Sequence, residues 1–362
     1  MRLIGIEEEL YLVDSVSGEL CPSTGEVLRA ASAELGDHVR PEFLRCQIES
    51  RTPICQTIDQ ARSMLLGQRR VLMRAAAARG LSIVAAATHP WARWFDQTPT
   101  DLPRYRRLDG ELRVVGRRLL TCGLHVHVGI DDLDLRVAVM TAARPYLPLL
   151  LALSASSPFW AGGDTGMASY RSAVFSELPR TGIPDAFAEG RDYLFTLNTL
   201  VESGAIDDAT KVWWDIRAHP RLPTLEYRVS DMPPRAEHVV AIAAVCQALT
   251  QTLIERITRG DAPPIPPRHL IAENKWRAAR DGLAASLIDL EANRLRPIAD
   301  LIRETIHAIS PAADALGSLD ALGGIEDILA GDNSADRQRQ AHQRDGSLID
   351  VIRQLQEESV VL

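Results

Sequence analysis

Three segments of this 362-residue chain alternate apolar and ionisable residues with a period that a strand can use. In GIEEELYLVD, beginning at Gly5, Glu7 and Glu9 fall two apart; in GLHVHVGI so do His125 and His127; in TLEYRVSD so do Glu226 and Arg228. Side chains at i and i+2 of a strand share a face. Each segment therefore gives one face to an ionisable pair; Leu124, Val126 and Val128, or Leu225, Tyr227 and Val229, take the opposite one. Glu8 points away from its two neighbours. Any one such pair is what a solvent-facing strand presents. Three of them, Glu-Glu, His-His and Glu-Arg, point instead to a sheet curved so that the faces converge on a cluster of acids and imidazole. Unpaired buried carboxylates are prohibitively costly, and a divalent cation removes that cost. Carboxylate oxygens with one imidazole suit Mg²⁺ or Mn²⁺, not a thiolate-rich zinc site. RPEFLRCQIESRTP adds Glu42 and Glu49, which alone are ordinary surface acids and beside the other pairs are candidate ligands.

Composition limits the alternatives. With 46% apolar residues the chain can bury a large core, as one elaborated domain or two tightly joined ones. A formal net charge of -8 argues against nucleic acid or an anionic membrane as partner. The five cysteines, Cys21, Cys46, Cys55, Cys122 and Cys246, form no C-x-x-C pair and read as reduced thiols of a cytoplasmic protein. The opening MRLIGIEEEL shows no basic-then-apolar secretory pattern. The apolar run VAVMTAARPYLPLLLALSASSPFWA is interrupted by Arg144, Pro145 and Pro148, so a buried, broken helix is expected there rather than a membrane span.

Strands and helices follow one another without regular β-α-β alternation, which favours an α+β fold with an antiparallel sheet. SVSGEL reads as a turn after the first strand, and the helical period of IDQARSMLLGQRRVLMRAAAARG stops at Gly80. Asp132 or Asp134 caps the helix after the His-His strand. The Gly-, Ser- and Pro-rich middle suits loops over a site. DAPPIPP, residues 261–267, is a stiff linker, and 268–362 is helical in pattern. Arg171 in SYRS is a candidate for a substrate carboxylate, or a solvated loop arginine. Arg217 in WWDIR reaches the site or makes an internal salt bridge.

The segments GIEEEL, QIESRTP, CGLHVHVGI, YRSAVFSELPRTGIP, WWDIRAHPRLPTLEYRVSD, ENKWRAARDGL and ADRQRQ occur in this order over essentially the whole chain. In this the chain resembles the carboxylate-amine ligases of the glutamate–cysteine ligase type 2 group, which includes YbdK-like proteins. The resemblance implies a glutamine-synthetase-like catalytic fold in a single domain, 1–362. In that fold an antiparallel sheet curves around a funnel-shaped active site, with helices packed outside. It implies ATP with two or three Mg²⁺ (or Mn²⁺) ions. Glu7, His125 and Glu226 would ligate the metal nearest the ATP phosphates, and Glu9, Glu49 and Glu42 the metal nearer the acceptor. His127 would touch nucleotide or substrate, Arg228 would bind phosphate, and Lys275 or Arg277 would contact nucleotide or substrate. A homo-oligomer acting on small amino-acid and amine substrates is the family tendency. The activity implied is amide formation through an acyl phosphate, with the γ-carboxylate of glutamate as donor and L-cysteine as acceptor. Two positions depart from the pattern: Ala218 replaces the usual proline after WWDIR, and GDNSADRQRQ lacks a second glycine before the alanine. A degenerate ligase serving as a binding or regulatory protein is a second reading, although no metal acid is lost. A metal-dependent hydrolase is a third; it would require further histidines in apolar strands.

Overall fold

The computed structural model describes residues 2–331 and 333–360. The Glu-rich segment forms the long strand β1, Ile4–Asp14, at the centre of a seven-stranded sheet. Its companions are β2 (Val39–Pro41), β3 (Gln47–Arg51), β4 (Leu81–Val84), β5 (Gly123–Gly129), β6 (Ile216–Ala218) and β7 (Thr224–Asp231). The order is β6-β7-β5-β1-β3-β2, every pair is antiparallel, and β4 also pairs with β1. β1 divides its partners along its length: Ile4–Glu8 pair with β5, Tyr11–Asp14 with β4, and Glu7–Tyr11 with β3. The expected α+β architecture is the one observed.

β7 carries a bulge. Tyr227 faces Val126 and Ser230 faces Leu124, so three steps on β7 match two on β5. The extra residue reverses the side-chain parity of the strand beyond it. Glu226, opposite His127, and Asp231, opposite Gly123, thereby both face the concave side.

The convex face carries Ile4, Ile6, Leu10, Leu124, Val126 and Val128, all buried, against helices Ile58–Ala77 and Ala236–Thr258. Glu8 lies among them at 2% exposure. Arg69, fully buried on the first of these helices, donates Nε to both Glu8 oxygens at 3.1 Å and Nη2 to one at 2.6 Å. Its Nη1 donates to the Pro234 carbonyl at 2.6 Å. One guanidinium thus ties β1, a helix and the turn leading into the next helix.

The interrupted apolar run is a helix Leu133–Ala143, a tight turn Arg144–Tyr146 and a helix Leu147–Ser154, with Asp132 capping it by accepting from the Leu135 N–H. This stretch and Ala236–Thr258 are both long and apolar enough to cross a membrane, but 83% of each most apolar window is buried inside the protein. They form the core, which runs unbroken from Ile4 to Leu355.

Residues 268–360 are not helical throughout. A hairpin of Ser286–Asp289 and Arg294–Pro297 interrupts them. The Asp289 carboxylate accepts from the N–H groups of Glu291 and Ala292, Asn293 takes φ 51°, and Arg296 bridges back to Asp289 at 3.0 Å. Asp and Asn suit such a turn because their short side chains bond nearby backbone and tolerate left-handed φ. The leucine and isoleucine spacing there fits a helix equally well, which is why the pattern alone misassigned it.

Candidate active site

The concave face of the sheet walls a cavity of about 520 Å³. Register arranges its ionisable side chains in cross-strand rows. Arg217 faces Glu226, which faces His127; His125 faces Glu7, which faces Arg51; Glu9 faces Glu49, which faces Arg40. The strand pairs read from sequence therefore do converge, together with Glu42 beyond the end of β2.

The tightest group is Glu7, His127 and Glu226, whose ligand atoms all lie within 4.8 Å of one another. His127 Nε2 is 3.5 Å from Glu7 and 3.9 Å from Glu226, while Nδ1 is 3.0 Å from the Thr224 hydroxyl. In the tautomer that donates Nδ1–H to the Thr224 hydroxyl, the ring turns an Nε2 lone pair toward the two carboxylates. That nitrogen is buried and has no hydrogen-bond partner among the described residues. An unpartnered lone pair between two carboxylates fits a divalent cation, and the bond to Thr224 is the kind that fixes a ligating imidazole. Of the two strand histidines, it is His127 that stands 3.9 Å from Glu226. His125 lies 3.5 Å from the other Glu7 oxygen, and Glu226 registers with His127 and not with His125.

Burial alone would raise the Glu7 carboxyl, but the neighbouring imidazoles of His125 and His127 hold it well below the usual range. Burial likewise opposes ionisation of Glu226, and the guanidinium groups of Arg217 and Arg228 outweigh it. Of the other acids, Glu49 pairs with Arg51 at 3.1 Å, but the arginines near Glu49 and Glu42 do not outweigh burial and the neighbouring carboxylates. Burial, then the charges of Glu9 and Glu49, push Glu42 up to about 8; burial, then Glu7, push Glu49 up to about 7. Glu9 accepts the Gly123 N–H at 2.6 Å. This second set fits a cation by its incompletely compensated charge. The linkage has a definite sign. Carboxyls raised on folding support the fold below their unfolded value near 4.5, and that support is lost as pH rises through about 7 and 8. A cation would offset the loss by replacing the protons. Added Mg²⁺ should therefore raise the thermal midpoint more at pH 8.5 than at pH 6, and calorimetry in two buffers should show proton release on binding. Equal stabilisation at both values would refute cation binding at these acids.

Four arginine and lysine candidates divide by position. Arg228 rests on Glu226, with its Nε buried and unpartnered among the described residues. Arg217 grips Glu226 through Nε at 2.5 Å and Nη2 at 3.2 Å, and gives Nη1 to the carbonyls of Val212 and Thr210. It is an internal salt bridge at the cavity wall. Lys275 is spent on Asp215, at 2.7 and 2.8 Å, and Arg277 on Glu273 one helical turn away. Neither side chain lines the cavity.

Arg171 does line it, at 4% exposure. Its Nη atoms lie 3.4–3.5 Å from the carbonyls of Arg228 and Val229 and 4.0 Å from Asp231; Nε has no partner among the described residues. The guanidinium lies over Gly123, where a Cβ would fall 2.2 Å from Nη2. Asp231 beneath it accepts from the Ser156 N–H and from the hydroxyls of Ser157 and Ser169. Ser156 is held in turn by Ser334 and Gln338 of the ADRQRQ segment. That segment therefore braces the floor of the site from behind. Asp332, in the GDNSADRQRQ stretch that lacks a second glycine, lies outside the described residues. Asp231 and Gly123 escaped the sequence reading because a bulge and a close approach leave no periodic signal. His219 escaped it as well: it sits in the β6–β7 turn, against the His127 ring, and burial pushes it down to about 4.

The curved sheet lined by acids, imidazole and arginine, together with the matches that follow, makes this an ATP-dependent carboxylate-amine ligase, one of the carbon–nitrogen ligases. The sequence profile of glutamate–cysteine ligase family 2 matches residues 3–354, and the chain belongs to that family. A provisionally named glutamate–cysteine ligase 2 of Paracoccus denitrificans is 43% identical over 337 residues, 93% of this chain and 89% of that one. Another, from Solibacter usitatus, is 40% identical over 361 residues, covering 98% and 93%. The fold is also that of the Francisella tularensis glutamate–cysteine ligase solved with AMP (TM-score 0.74, 13% identity, 99% of this chain and 89% of that one). A bifunctional glutathione synthetase from Pasteurella multocida shares it too (TM-score 0.71, 15% identity, 99% and 52%).

Proposed function

We propose that the chain joins the γ-carboxylate of glutamate to an amine, with L-cysteine as the first acceptor to test, through an acyl phosphate. The observation that carries this reading is the convergence of Glu7, His127 and Glu226 around one unpartnered imidazole nitrogen, with Arg228 seated on the same Glu226. A carboxylate resists amines because its oxygen is a poor leaving group. Attack of that oxygen on the γ-phosphorus of ATP forms the acyl–phosphate bond and releases ADP. The amine then adds to the carbonyl, phosphate leaves, and the nitrogen gives up a proton. Glu7, His127 and Glu226 would hold one cation and Glu9, Glu42 and Glu49 another; bound there, the ions offset the charge of two approaching anions. Arg228 faces the transferred phosphoryl group with a planar fork suited to its oxygens. Arg217 keeps Glu226 ionised and aimed. Arg171, held over Gly123, offers its free Nε to the α-carboxylate of the donor.

The test is ADP release with Mg-ATP, glutamate and a panel of amines including cysteine, with products read by mass spectrometry. Amine-dependent ADP release with a product equal to both substrates minus water is expected. ADP release with no acceptor giving such a mass would overturn the reading. Gly123→Ala refines it: the new Cβ displaces the Arg171 guanidinium. The KM for the donor should rise roughly tenfold to a hundredfold, the size of a hydrogen bond to a charged group, while the KM for ATP stays. An unchanged donor KM would remove Arg171 from substrate binding.

A further inference from the structure

We propose that His219 is a hydrogen-bond donor of fixed tautomer, delivering its Nε2–H to an oxygen of the phosphoryl group bound at the Glu7–His127–Glu226 cluster. The proposal rests on the ligase reading above.

The ring is set by the turn it belongs to. His219 N–H donates to the Thr224 carbonyl at 2.9 Å, closing the loop between β6 and β7. Within that loop the Nδ1 of His219 accepts two backbone N–H groups, from Arg221 at 3.1 Å and from Leu222 at 2.9 Å. A nitrogen that accepts twice carries no proton, so the single ring proton sits on Nε2. No hydrogen bond among the described residues uses that Nε2, and the residue lines the cavity, its ring centroid 5.6 Å from that of His127.

Both rings are placed by one residue. Thr224 takes Nδ1 of His127 with its hydroxyl and the backbone N–H of His219 with its carbonyl. In the tautomer that donates Nδ1–H to Thr224, His127 shows an Nε2 lone pair to Glu7 and Glu226, which is what a cation needs. His219 shows an Nε2–H beside the same cluster, which is what an anionic oxygen needs. A ring whose Nδ1 lone pair already faces two donors cannot also give up its Nε2 proton to a metal at neutral pH. His219 is therefore excluded as a fourth ligand by the same geometry that makes it a donor. A preset donor aimed at developing charge needs no reorganisation when the reaction occurs.

The experiment uses His219→Asn and His219→Phe, with His127→Asn as the contrast. In His219→Asn the side-chain oxygen takes the place of Nδ1 and keeps the turn, while nothing replaces Nε2–H. Three readouts are taken: Mn²⁺ affinity by electron paramagnetic resonance, affinity for a non-hydrolysable ATP analogue in Mn²⁺, and nitrogen-15 shifts of histidine-labelled protein. His219→Asn should bind Mn²⁺ as the wild type does, bind the analogue about tenfold to a hundredfold more weakly, and turn over about 10²–10³-fold more slowly. His127→Asn should lose the Mn²⁺ itself. The resonance lost in both His219 variants should be that of an Nε2–H tautomer. Mn²⁺ affinity that falls in His219→Asn as it does in His127→Asn would make His219 a ligand and overturn the proposal. So would wild-type analogue affinity in His219→Asn, which would leave the residue only its turn. Wild-type protein that binds no nucleotide analogue would instead overturn the ligase reading and the phosphoryl contact with it.

Discussion

Glu8→Ala should destabilise the protein by about 3–5 kcal/mol, the loss typical of removing one partner from a buried ion pair. The size follows from what is left behind. Arg69 is fully buried, and its Nε and Nη2 have Glu8 as their acceptor. Without it a guanidinium remains charged in an apolar layer, beneath Ile6 and Leu10 of the same strand. Arg69→Ala should lose a comparable amount, and it also leaves the Pro234 carbonyl without its donor at 2.6 Å. The double variant Glu8→Leu, Arg69→Met should regain most of the loss, because well-packed apolar residues commonly replace a buried pair without penalty. Urea unfolding of the three proteins measures this. A single-variant loss under about 1 kcal/mol, the worth of an exposed pair, would mean that water reaches the pair and that β1 is not anchored this way. Retained activity in the double variant would also show that Glu8 serves the strand and not the chemistry.

The three consecutive glutamates show where sequence suffices and where it stops. Period-two alternation placed Glu7 and Glu9 on one face and Glu8 on the other, because strand geometry admits no other arrangement. It could not say that Glu8 meets Arg69, since that contact joins residues 61 positions apart through tertiary packing. The same limit applies to the histidines. Alternation brought both to the concave face, but which one meets Glu226 depends on cross-strand register, set by the bulge and by the β6–β7 turn. Lys275 and Arg277 illustrate the converse. The family resemblance made them candidates, and the structure satisfies each with a nearby carboxylate, Asp215 and Glu273. Arg171 gains its position from the missing side chain of Gly123, an interaction no spacing rule encodes.

Glu7→Gln and Glu226→Gln should both lose activity, and for different reasons. Glu7 sits at the cavity edge, between two imidazoles at 3.5 Å, and no arginine or lysine bridges to it among the described residues. Its amide analogue removes a ligand charge while keeping the shape. Turnover should fall about 10²–10³-fold, Mn²⁺ affinity should fall with it, and the thermal midpoint should hold. Glu226 is 1% exposed and carries both Arg217 and Arg228. Glutamine there leaves two guanidinium groups in a buried wall without the carboxylate that bridges them. The same loss of turnover should therefore come with destabilisation of about 3–5 kcal/mol and with weaker nucleotide binding, because Arg228 loses its anchor. Arg217→Lys separates the two roles of Glu226. A lysine cannot keep the paired bonds at 2.5 and 3.2 Å or reach the carbonyls of Val212 and Thr210. It preserves the charge, however, so it should lower stability while leaving Mn²⁺ binding measurable. Equal stability loss in Glu7→Gln and Glu226→Gln would contradict the division proposed here, in which Glu7 faces the cation and Glu226 is shared between the cation and the arginine wall.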